Sequence, residues 1–83
     1  MQLQAYAVYD RKAESYAQPF FAPNHAVAIR NFEGAVRSGN NQLSTHPEDF
    51  SLWHLGEYDD EQGRFQNLQN PAQLLTAMAA KGN

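Results

Sequence analysis

Residues 2–9, QLQAYAVY, decide the fold. Leu3, Ala5, Ala7 and Tyr9 alternate onto one side, and Tyr6 and Val8 point to the other. A period of two is the signature of a strand, and apolar residues on both sides place that strand near the middle of a sheet. The next residues, DRKAES, are a polar excursion. A second extended piece follows over 16–21 (YAQPFF), where Pro19 restricts it to an edge or an irregular segment.

Residues 24–38 read as a helix. Asn24 can accept a first-turn N–H, Ala28, Ile29, Phe32, Ala35 and Val36 recur with His25 at helical spacing, and Gly39 lies just beyond the last periodic residue. Arg30, Glu33 and Arg37 share one flank, with Glu33 and Arg37 four apart. Residues 40–50, NNQLSTHPEDF, are rich in turn formers and read as a loop. Residues 50–58, FSLWHLGEY, give a strong strand.

The acidic run after it, EYDDEQG at 57–63, fails as a calcium loop. In a register starting at Glu57, Gln62 takes the glycine position and Leu68 the last ligand position. Residues 59–63 instead read as a hairpin turn, with Gly63 at positive φ. A final helix is expected from Asn70 as cap and Pro71 at the first helical position. Leu74, Leu75 and Met78 would form its buried stripe, with Lys81 near its end and Gly82 as its stop. The expected order is β-(β)-α-β-β-α, a small α+β domain over 1–83 with two helices on one face of an antiparallel sheet.

The chain has 83 residues, no cysteine, 42% apolar content and ten aromatics, enough for one compact core without a staple. So small a domain, with a strand apolar on both faces, is expected to form a homodimer. No apolar run is long enough to span a bilayer, and MQLQAYAVYD lacks the basic and apolar regions of a signal peptide. The expectation is a protein that stays in the cytoplasm of the cell that makes it and has no membrane partner. A formal charge of −3 argues against binding DNA by bulk phosphate neutralisation, so any DNA contact must use a local patch.

Chemistry-bearing motifs are few. His25, His46 and His54 have no HxH or HxxxH spacing, and neither a P-loop, a GxGxxG nor a GxSxG is present. No catalytic residue, metal site or cofactor is expected. The one suggestive pattern is Tyr6, Tyr9, Tyr16, Phe20 and Phe21 beside Arg11 and Lys12, with Arg30 and Arg37 on the helix flank. Aromatics beside cations on a sheet can stack single-stranded bases and hold phosphates. Tyr9, Arg11, Lys12, Arg30 and Arg37 are the candidate DNA-binding residues. The competing view makes the same aromatics part of the core or of a dimer interface.

The ordered series YAVYD, PFFAP, A-x-R-x-F, HPEDF, LGEYD and a turn glycine covers nearly the whole chain. It resembles the small non-structural protein of the gokushovirus branch of the microviruses, bacteriophages with single-stranded DNA. The resemblance implies a non-catalytic phage accessory protein, acting in viral single-stranded DNA synthesis or packaging, with modest DNA binding and the host bacterial cytoplasm as its compartment. On the matched positions it implies a phosphate contact for Arg30, core positions for Phe32 and Phe50, and a turn shaped by Pro47, Glu48 and Asp49. The alternative is a protein-interaction module that binds a viral or host replication factor without touching DNA.

Overall fold

The computed structural model describes residues 2–82. Strand β1 (Gln2–Asp10) pairs antiparallel with β4 (Phe50–Asp59) on one side, and on the other with two short strands, β2 (Ser15–Tyr16) and β3 (Phe20–Ala22). β5 (Arg64–Thr76) pairs with β4 and ends the order β2-β1-β4-β5. The strand read over 2–9 is therefore internal, as its two apolar faces require. Pro19 falls in the gap between β2 and β3, where its missing N–H disturbs no ladder.

Helix α1 (His25–Arg37) packs on one face of the sheet. Asn24 caps it, accepting from the Val27 N–H at 2.9 Å, and Ala28, Phe32 and Val36 are its buried positions. They meet Tyr6, Ala22 and Leu52 from the sheet and Ala77 and Ala80 from the terminal helix α3 (Ala77–Lys81), with Val8, Phe20, Ile29, Phe50 and Leu74 around them. Tyr6, Leu52 and Val36 are the largest fully buried side chains. Burying a side chain of Leu52's size stabilises a fold by ~1.5–3 kcal/mol, a large share for so short a chain.

The turn at 59–63 forms as its residues dictate. Asp59 Oδ1 accepts from the Glu61 N–H at 2.9 Å and the Gln62 N–H at 3.3 Å, and Gly63 takes φ +67°. That carboxylate serves the turn.

Two expectations are corrected. Residues 70–76 are not helical: Leu75 pairs with Leu52, Gln73 with Trp53 and Ala72 with His54, all within β5. The helix starts only at Ala77, capped by Thr76, whose Oγ1 accepts from the Ala79 N–H at 3.1 Å. Asn70 and Pro71 carry helix-start chemistry, but pairing with β4 satisfies more backbone groups than an isolated terminal turn would. Met78 is 56% exposed and does not join a buried stripe. In addition, the loop expected at 40–50 contains helix α2 (Gln42–Thr45) and a 3-10 turn at Pro47–Asp49. Asn41 caps α2 through a 3.0 Å bond from the Ser44 N–H, while its amide holds the Ala35 carbonyl at the end of α1.

The molecule measures 40 × 24 × 18 Å, with a radius of gyration of 13.0 Å against the ~12 Å typical of this chain length. The β4–β5 hairpin accounts for the excess: every residue from 64 to 73 is exposed. Among the described residues no helix is long and apolar enough to cross a membrane.

Candidate nucleic-acid interface

Strand alternation and register define the sheet face that α1 does not cover. It carries Leu3, Ala5, Ala7 and Tyr9 from β1. Tyr16 lies opposite Tyr9, Phe21 opposite Ala5, and Trp53 opposite Ala7, while Tyr58 lies opposite both Leu3 and Phe65. Ala5 and Ala7 are buried on this face, with Phe21 as the register partner of Ala5 and Trp53 of Ala7.

The rings on this face form two groups. Near the turn after β1, Tyr9 and Tyr16 have centroids 4.8 Å apart, and Trp53 stands 6.4 Å from Tyr9 and 6.2 Å from Tyr16. Trp53 Nε1 donates to Ser51 Oγ at 2.8 Å, which fixes the indole. At the other end Tyr58 lies 4.8 Å from Phe65 and 5.7 Å from Phe21, with Phe21 and Phe65 6.3 Å apart. Phe65 is 59% exposed, and Tyr16 and Phe21 are exposed as well. These tilted arrangements suit quadrupolar ring packing and leave ring surface open to solvent.

Arg11 adjoins Tyr9 at the first group; its side chain is 67% exposed and its Nη2 meets the buried Asp49 Oδ1 at 3.2 Å. The Arg11 N–H also donates to the Asp49 carbonyl at 2.8 Å, so the base of this residue is fixed while its head stays in water. Lys12 follows in the turn, its N–H bound to Asp10 Oδ1 at 2.9 Å. Tyr9, Arg11, Trp53 and Met78 line an open groove of about 450 Å³ beside this group, together with the acidic Glu48 and Asp49. Glu57, Asp59 and Arg64 flank the second group in sequence, but alternation turns them to the opposite face, where Glu57 accepts from Gln4 Nε2 at 3.3 Å.

The structure thus brings Tyr9 and Arg11 to one groove, places Lys12 beside Gln42, His46 and Asp49, and puts Arg30 and Arg37 on the helix that covers the opposite face. Arg37 also has a structural task, donating from Nε to the Ala80 carbonyl at 3.0 Å and so tying α1 to α3. Tyr6 and Phe20 leave the expected aromatic platform as well, since both pack in the core. Trp53, Tyr58 and Phe65 join the open face. Their strands were legible in the sequence, but which side of the sheet each faces follows from pairing.

The core side holds a polar cluster. The Tyr6 hydroxyl and His25 Nδ1 share a 2.7 Å hydrogen bond, and the His25 and His54 rings lie 4.6 Å apart. His54 Nε2 is bracketed by Gln4 Oε1 at 2.8 Å and the Gly56 carbonyl at 3.1 Å, two acceptors that require the proton on Nε2. Burial and then the neighbouring His25 push the His54 pKa below its ordinary 6.5, partly opposed by the Gly56 carbonyl and Glu57. Burial raises the Tyr6 pKa above 10.0. Among the described residues no three His, Asp or Glu side chains gather to hold a metal ion.

A pH dependence follows from His54. A histidine whose folded pKa is depressed stabilises the fold above the unfolded value and loses that contribution as pH falls. Stability should decline from about pH 6.5 downward and level off below the folded pKa of His54. His54→Gln, which keeps a side-chain donor, should flatten that decline in thermal melts across pH 4.5–7.5. Identical slopes in the two proteins would show that His54 is not the cause.

No solved structure matches the chain. In sequence, it is 38% identical over 69 residues to Protein ORF5 of Chlamydia phage 1, covering 78% of this chain and 72% of that protein. The model of the family described as Phage ORF5 protein matches residues 3–80, from the first strand to the terminal helix. These matches agree with the gokushovirus resemblance carried by YAVYD, PFFAP, HPEDF and LGEYD, and the chain belongs to the Phage ORF5 protein family.

Proposed function

We propose that this phage accessory protein binds single-stranded DNA on the helix-free face of its sheet, in support of viral DNA synthesis or packaging. One observation carries the reading: Tyr9, Tyr16 and Trp53 pack as a group on that face, with Arg11 beside them and Lys12 next in the chain. Exposed rings on a sheet stack bases without regard to sequence, and adjacent cations meet the phosphates. Two cations are few, so electrostatics supplies little of the affinity. At about −0.7 per phosphate neutralised on a single strand, the slope of log affinity against log salt should be near −1.4. Fluorescence anisotropy of a labelled oligothymidine across a salt series measures that slope. Arg11→Ala and Lys12→Ala should each make it shallower by about 0.7, and Arg30→Ala should leave it unchanged. Equal slopes in all four proteins would sink the assignment.

A second reading, docking of a viral or host replication protein, is favoured by the other aromatic group. Phe21, Tyr58 and Phe65 pack together with Phe21 and Phe65 exposed, an apolar patch of the kind a protein partner covers. Under that reading Phe65→Ala abolishes partner capture from infected cells in the presence of nuclease, while Trp53→Ala preserves it.

A further inference from the structure

We infer that the free edge of β5 pairs antiparallel with the same edge of a second copy of this chain, joining two sheets into one. β5 is the last strand of the sheet, with β4 on its inner side only. It is 13 residues long, and its residues 64–73 are exposed. Such an edge offers a row of backbone donors and acceptors that another strand completes.

The composition of this edge is unusual. Natural sheets blunt exposed edges with lysine, other charges, proline or bulges. From Phe65 to Thr76 there is no charged residue. Pro71 stands alone, and residues 68–71 form an irregularity opposite Leu55, where the β4–β5 register shifts. The stretch 65–70, FQNLQN, thus precedes the one residue that has no N–H to give. Its Gln66, Asn67, Gln69 and Asn70 carry amides that donate and accept, so they can bond to identical side chains.

The absence of charge points to a second copy as the occupant. An edge bearing lysine or glutamate meets its own like charge when it pairs with itself, whereas an uncharged edge does not. Antiparallel self-pairing is also isologous, so it closes as a dimer. Phe65, at 59% exposure, and Leu68, at 38%, would lose exposed apolar surface in the join.

The geometry has a functional corollary. A two-fold axis perpendicular to the sheet pairs the strands antiparallel and turns both helix-free faces to the same side. Each dimer then presents two Tyr9–Tyr16–Trp53 groups on one continuous surface. This corollary rests on the DNA reading; the pairing does not.

Light scattering on the full chain at ~50 μM tests the pairing without DNA. The expected mass is twice the 9.4 kDa of the chain. Amides within 65–70 should exchange at least tenfold more slowly there than after dilution to the point where the mass halves. Asn67→Lys combined with Gln69→Lys should give the single-chain mass with an unchanged circular dichroism spectrum. A wild-type mass of one chain, or a dimer whose 65–70 amides exchange no more slowly than those of the diluted protein, overturns the proposal. A double-lysine variant that remains dimeric does so equally. If that variant does not fold, the wild-type dilution series alone decides. Loss of DNA binding with the dimer intact would count against the DNA reading only.

Discussion

Trp53→Ala is expected to weaken binding of single-stranded DNA by roughly 5- to 150-fold, the effect of losing one stacked base at ~1–3 kcal/mol. The indole packs against Tyr9 and Tyr16, and its N–H is engaged by Ser51. An engaged donor holds the ring plane in place, so little conformational freedom remains to be lost when a base arrives. Tyr9→Ala should have a comparable effect, and the two losses should combine less than additively because the rings touch. The weakening should persist at high salt, unlike the effect of Arg11→Ala. Phe65→Ala, in the second aromatic group, should change affinity less than twofold under these conditions if the monomer is the species compared. Anisotropy titrations at two salt concentrations separate these outcomes, with circular dichroism confirming the fold of each variant.

Gly56→Ala and Gly34→Ala should shift stability in opposite directions. At Gly56 the backbone of β5 lies against the position a Cβ would take, in contact with the Gln66 carbonyl and 2.9 Å from Asn67 Cα. A methyl group there must separate β4 from β5 or break the bulge beside it. The cost should be near the upper end of the ~1–3 kcal/mol typical of overpacking. For a domain of this size that lowers Tm by on the order of 15 °C. Gly34 sits inside α1 with nothing within 4 Å of its Cβ position. Alanine there removes backbone freedom from the unfolded chain and should stabilise by ~0.5–1 kcal/mol. Two melting curves check both signs; destabilisation of equal size at the two sites would show that close strand approach at Gly56 is not the cause.

The elements legible in the sequence were those that carry their own punctuation. Asn24 caps α1, Asp59 and Gly63 make the hairpin turn, and the alternation of β1 marks it as an internal strand. Residues 70–76 were not legible for the opposite reason. Asn70-Pro71 offers local helix-start chemistry, but Leu75, Gln73 and Ala72 find partners in Leu52, Trp53 and His54, far away in the chain. Tertiary pairing overrode a local preference worth less than the ladder it completes.

The candidate site was half legible. Tyr9 and Arg11 are close in sequence and line one groove, while Lys12 lies beside Gln42 and His46. Arg30 and Arg37 share a helix flank, but the helix covers the wrong face for them to meet Tyr9. Trp53 enters through its register opposite Ala7, which no pattern within 50–58 reveals. Tyr6, grouped with Tyr9 in the sequence pattern, turns inward to His25 because odd and even positions of β1 face different layers.

Trp53 is the single tryptophan of the chain, so its emission reports on the proposed site alone. Titrating the unlabelled protein with oligothymidine at low salt should quench that emission saturably, with a midpoint matching the anisotropy measurement. Binding by anisotropy with unchanged Trp53 emission, or no binding at all, would contradict the placement of single-stranded DNA on the helix-free face.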